Sequence, residues 1–138
     1  MKVAKEQIVG MVAAVDWVLS HTEESMQGDY QKRADLIAAA MKSVPSVTTK
    51  TVVPKIANHV PHLLIHFDPA VTGVTTAQIV ARLRAGTPSI ELNPNTGQKP
   101  NQGIPADANT LVVGVWMLQP GEDAIVGDRI RAALTTKA

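Results

Sequence analysis

Apolar residues recur at helical spacing from the start of the chain. Ile8, Val12, Val15 and Leu19 stand four, three and four apart, which is one stripe of a helix. Val9, Met11 and Val18 widen the stripe, Trp17 adds a large side chain, and Glu6, Gln7 and Asp16 are among the few polar residues. The pattern predicts a helix over Lys5–Leu19, apolar around most of its circumference as in helices buried on more than one side. A polar break, Ser20–Asp29, follows. Ala34, Ile37 and Met41 continue a face begun by Tyr30, so a second helix is expected over Tyr30–Lys42, with Asp29 as its N-cap and Pro45 barring extension.

The pattern then changes period. Val47–Val53 is rich in Val and Thr, and Pro54 ends it. Val60–Phe67 alternates, with Leu63, Ile65 and Phe67 on one side and His62, Leu64 and His66 on the other; Asp68-Pro69 is a turn signal. Thr75 and Gln78 have capping-box spacing ahead of a helix carrying Ile79, Val80 and Leu83, and Gly86 is placed to end it. A short strand is expected over Ser89–Leu92 and an apolar one over Thr110–Leu118. Between them lies a 17-residue polar stretch, Asn93–Asn109, with three Pro, two Gly and four Asn. Such length marks a loop as functional or mobile. Pro120–Asp123 turns into a last helix with Ile125, Val126, Ile130 and Leu134 inside. The order α-α-β-β-α-β-β-α predicts an α+β fold, a small antiparallel or mixed four-stranded sheet with helices on one face.

Composition sets the bounds. A chain of 138 residues with 45% apolar residues is long enough for one core. A net charge of +1 argues against a basic nucleic-acid-binding domain, and no nucleic-acid partner is expected. Cysteine is absent, so disulfides, thiolate metal sites and cysteine nucleophiles are excluded. No apolar run reaches the ~18 residues of a membrane span, and the default expectation is a cytoplasmic protein without a membrane partner.

Self-contained chemistry is sparse. His59, His62 and His66 are the densest possible ligands, but four strand residues separate His62 from His66 by ~13 Å, too far for one ion; surface strand histidines are expected instead, and no metal site. His21 reads as a surface residue. Glu23-Glu24 reads as a solvated turn, and there is no nucleophile elbow, P-loop or dinucleotide fingerprint. No catalytic residue is assigned. Two features point outward: the apolar first helix, and the segment Arg84-Ala85-Gly86-Thr87-Pro88-Ser89-Ile90. The latter reads either as a turn offering backbone N–H groups and two hydroxyls or as an ordinary helix-to-strand connection.

Three segments carry a resemblance. Met1–Leu19 (MKVAKEQIVGMVAAVDWVL), Ile79–Leu92 (IVARLRAGTPSIEL) and Met117–Leu134 (MLQPGEDAIVGDRIRAAL) resemble, in order, the C-terminal third of pyridoxal-phosphate enzymes of the selenocysteine-synthase type. These are L-seryl-tRNA(Sec) selenium transferase and its relatives, including D-glucosaminate-6-phosphate ammonia-lyase-like proteins. The resemblance implies the small C-terminal domain of a fold-type-I enzyme, with residues 1–29 as connecting helix and link and 30–138 as the α+β domain. It implies a parent enzyme using pyridoxal phosphate, while this chain holds no cofactor-binding residue, since none of its eight lysines stands in the family's cofactor-lysine context. Arg84, Gly86, Thr87, Pro88 and Ser89 become candidates for the substrate entrance, and so does Trp116. It stands where the family often has an arginine, which points toward the ammonia-lyase-like branch or an unassigned one. The expected partners are the cofactor-binding large domain and a second copy, met through the first helix. The alternative is a stand-alone interaction or dimerisation module.

Overall fold

The structure is a computed structural model that describes residues 3–55, 59–100 and 103–136. Its elements are α1 (Lys5–Leu19), α2 (Glu23–Met41), β1 (Val47–Val52), β2 (His62–Phe67), α3 (Pro69–Thr72), α4 (Thr76–Ala85), β3 (Thr110–Gly114) and α5 (Glu122–Thr135).

α1 forms over the expected residues and has no buried residue. Its first turn is held by Gln7, whose Oε1 accepts from the Ala4 N–H at 3.0 Å. α2 begins seven residues earlier than the Tyr30 start that the pattern suggests. Thr22 is its cap: the Thr22 hydroxyl oxygen accepts from the Ser25 N–H at 3.1 Å, and Glu23 and Glu24 sit in the positive first turn. The polar break is thus only Ser20–Thr22, and Glu23-Glu24, expected in a solvated turn, opens the helix.

Three strands, not four, form the described sheet. The order is β1-β2-β3, both pairs antiparallel, with Val47 opposite Phe67 and Leu63 opposite Val113. Ser89–Leu92 makes no strand. The Ile90 N–H turns back to Leu83 O of α4 at 3.0 Å, and Leu92 buries its side chain in the core. The free edge of β3 is covered by the loop that follows. Asn93 N–H donates to Val112 O (3.1 Å) and Gly97 N–H to Thr110 O (2.9 Å). Between them the Thr96 hydroxyl accepts from Val112 N–H (3.0 Å) and donates to Val112 O (3.3 Å). One side chain here meets the polar groups that a strand residue would otherwise satisfy. β3 is also shorter than expected, because the chain leaves it at Gly114 and turns through Trp116 and Met117.

The inner face of the sheet carries Leu63, Ile65, Phe67, Leu111 and Val113. Against it pack Ala34, Ile37 and Met41 of α2, Ile79 and Leu83 of α4, and Val126, Ile130 and Leu134 of α5. α2 and α5 approach closely at Gly127, where an added Cβ would lie 3.1 Å from the Ala40 Cβ. The outer face is covered differently. Leu64 and Val112 lie under Ile104 and Ala106 of the 93–109 loop, with Val52 beside them. Of the long loop, Ile104 and Ala106 thus pack on the outer face, while Asn93, Thr96 and Gly97 run along the β3 edge.

Candidate functional site

The turn after α4 is built from both sides. At the N-terminus of α4 the expected capping box is present: Gln78 N–H donates to the Thr75 hydroxyl oxygen at 3.3 Å, and Thr75 N–H to Gln78 Oε1 at 2.8 Å. At the other end Gly86 is the C-cap, with an extended backbone (φ −84°, ψ 174°). Its lack of a side chain serves space, not a left-handed turn. The guanidinium of Arg129 occupies the place of a Cβ, within 1.5 Å of where one would stand. From there Arg129 Nη1 donates to Thr87 O at 2.7 Å.

The other candidates divide. Arg84 forms a fork on Glu91, with Nε donating to Oε2 at 2.6 Å and Nη2 to Oε1. The shared hydrogen bonds hold the Glu91 carboxyl below its ordinary range and raise Arg84 above its own. Both groups are exposed, so the pair positions more than it stabilises. Ser89 spends its hydroxyl inside the turn, donating to Arg84 O at 2.8 Å, while Thr87 is exposed. Pro88, Ser89, Ile90 and Glu91 form one wall of an open groove of about 350 Å³ whose other wall is Leu118, Glu122, Ile125 and Val126.

Trp116 lies elsewhere. Its ring packs across His62, with centroids 4.9 Å apart, and it does not line the groove. His62, expected at the surface, is therefore 2% exposed, its Nδ1 2.8 Å from Val60 O. His66 is exposed, as the pattern implied. Its Nδ1 lies 3.3 Å from the Thr110 hydroxyl and 3.5 Å from Asp107 Oδ1. The Thr110 hydroxyl donates to Asp107 at 2.6 Å; that bond first, then the Asn109 N–H and His66, keep the Asp107 carboxyl below its usual range. Thr48, Lys50, His66, Asp107 and Thr110 share a shallow groove of about 270 Å³ on the outer face.

The described residues do not fit pyridoxal phosphate. All the described lysines (Lys5, Lys32, Lys42, Lys50, Lys55 and Lys99) are exposed, whereas a Schiff-base lysine needs an enclosed cavity and a partner for the pyridine nitrogen. Among the described residues no group of three or more His, Cys, Asp or Glu could hold a metal ion, and no helix is long and apolar enough to cross a membrane. The sequence reading missed Leu118, Ile125 and Arg129 as neighbours of the turn. All three fall in the third resembling segment, which could have signalled them.

No protein-family model matches the chain. A Streptomyces protein, 5'-C-glycyluridine monooxygenase-decarboxylase, is 30% identical over 92 residues, 67% of this chain and 23% of that one. The structure of D-glucosaminate-6-phosphate ammonia-lyase superposes with a TM-score of 0.67 at 18% identity, over 97% of this chain and 33% of that chain. The resemblance to ammonia-lyase-like proteins read from the sequence is thus met in the fold. The chain spans a third or less of the length of these two proteins.

Proposed function

We propose that this chain is the C-terminal α+β domain of a pyridoxal-phosphate-dependent lyase or transferase of the selenocysteine-synthase-like, fold-type-I kind. It forms one wall of the active site and is inactive alone. The observation that carries this is the asymmetry of the structural match, nearly the whole of this chain against one third of the ammonia-lyase. Residues 1–29, with α1, connect it to the cofactor-binding large domain, and residues 30–138 are the domain proper. The parent enzyme is cytoplasmic and takes its cofactor on the large domain. Arg84, Gly86, Thr87, Pro88 and Ser89 lie at the substrate entrance, and Trp116 stands apart from it, against His62.

Borohydride reduction tests this. In the complete enzyme the reduced cofactor is expected on a lysine outside this chain. A single labelled lysine within residues 1–138 overturns the reading. The double variant Thr87→Ala, Ser89→Ala is expected to change KM or kcat of that enzyme; if both are unchanged, the turn is structural only.

A second reading, a dimerisation module without catalysis, is favoured by one observation: Ile8, Val9, Met11, Val12, Val15, Trp17, Val18 and Leu19 are all exposed on α1. Under either reading a second copy covers part of this face. Sedimentation is expected to show a dimer, with Val12→Glu plus Val15→Glu shifting it to monomer. Restored cofactor binding on mixing with a cofactor-binding domain separates the two, since only the first reading expects it.

A further inference from the structure

Arg82 of α4 and Arg129 of α5 line one open cavity of about 300 Å³, together with Leu83, Ala132, Ala133 and Thr136. Each guanidinium is fixed by the other helix or by the turn that follows it. Arg82 Nη1 donates to Ala133 O at 3.1 Å and to Thr136 O, at the carbonyl-rich end of α5. Arg129 Nη1 donates to Thr87 O, just past α4. Capping of this kind accounts for one terminal nitrogen of each side chain. A guanidinium has five N–H donors. Among the described residues, nothing accepts from Nε or Nη2 of either arginine, and neither has a carboxylate within ion-pair distance. The contrast is local, because Arg84 is neutralised by Glu91 and Arg131 by Asp128.

Both anchored cations line one cavity, Arg82 with Nε and Nη2 unspent and Arg129 with Nε unspent while its Nη2 packs against Gly86, and together they make a site for an anion. We propose that the Arg82–Arg129 cavity binds the oxyanion group of a small molecule, a phosphate or a carboxylate. Planar forks match such oxygens two at a time. The usual cost of ordering long side chains is lowered by the carbonyls that already hold them. The volume suits a small ligand, at the lower end of the ~300–1,000 Å³ typical of ligand pockets. Gly86 is part of the device, since any side chain there would displace Arg129. The site does not depend on the larger enzyme, though Arg129 ties it to the entrance turn.

The test is a titration of the full 138-residue chain, at constant ionic strength, with inorganic phosphate in one arm and acetate in the other. Arginine Nε–H resonances are followed. The Arg82 and Arg129 signals are expected to shift together and saturate, while those of Arg33, Arg84 and Arg131 stay. Saturation with phosphate assigns a phosphate ligand, and saturation with acetate alone assigns a carboxylate. Arg129→Met is expected to weaken binding at least tenfold and Arg131→Met to leave it unchanged. A linear drift in both arms, or equal shifts at all five arginines, overturns the proposal using the wild-type chain alone, whatever the variants do to folding.

Discussion

The two faces of the sheet are buried by different means. The inner face meets three helices whose apolar stripes interlock in one large cluster running from Ala34 to Leu134. The outer face has a smaller apolar set to hide, Leu64 and Val112 with Val52 beside them, and hides it under two loop residues, Ile104 and Ala106. A helix brings a repeating stripe and satisfies its own backbone. A loop must satisfy its backbone against the sheet, as Asn93, Thr96 and Gly97 do along β3. Stability should therefore concentrate on the inner face and local opening on the outer.

Phe67→Ala, at the centre of the inner cluster, should have the largest effect. Truncating a fully buried Phe costs about 3–5 kcal/mol, read as a fall in the denaturant midpoint. Ile104→Ala should cost about 2 kcal/mol, the low end for such truncations, since a small cluster under a loop can close on the gap. It should also speed amide exchange along 93–98 while leaving α2 and α5 protected. Equal costs at Phe67 and Ile104 would erase the distinction between the faces. Gly127→Val probes the inner face from the opposite direction. A branched side chain against Ala40 and the Ile37 backbone should cost about 1–3 kcal/mol by overpacking.

The smallest effect is expected from acid. Asp107 ties the outer loop to Thr110 and His66, and its folded carboxyl titrates below the unfolded one. The stability it contributes is present above the ordinary carboxylate pKa, ~4, and is lost as pH falls through the folded value. Asp107 is largely exposed, so screening keeps this below about 1 kcal/mol. Asp107→Asn should flatten the acid limb of Tm against pH by that amount. An unchanged limb would mean the outer loop is held by its apolar contacts alone.

Periodicity made the helical half of the fold legible. The Tyr30-Ala34-Ile37-Met41 face and the Thr75–Gln78 capping box both stand where spacing placed them. β2 forms within the alternating stretch, and its inward set Leu63, Ile65 and Phe67 lies in the core. The outer layer was not legible, because Ile104 and Ala106 lie in a Pro- and Asn-rich stretch with no period to read. His62 was misjudged because alternation names a face but not what covers it; a residue 54 positions later, Trp116, does so. At the turn after α4, spacing marks Gly86 as a helix terminator. What fills the space beside it is an arginine on another helix, a contact no local pattern encodes.

α1 joins α2 through Ser20, His21 and Thr22 alone. The joint is set by short-range contacts: Ser20 Oγ donates to Trp17 O at 2.7 Å, and the His21 ring stacks on Trp17 at 4.3 Å. None of these fixes α1 against the body of the domain, and no described residue of α1 is buried there. Fifteen helical residues make a rod of about 22 Å at 1.5 Å per residue. Mechanically this is a lever on a three-residue hinge, and a turn of a few degrees at Ser20–Thr22 sweeps the far end through ångströms. Whatever surface α1 comes to rest on therefore dictates the pose of the whole domain, so repacking that distant contact can tilt the groove beside Pro88 without altering any residue that lines it.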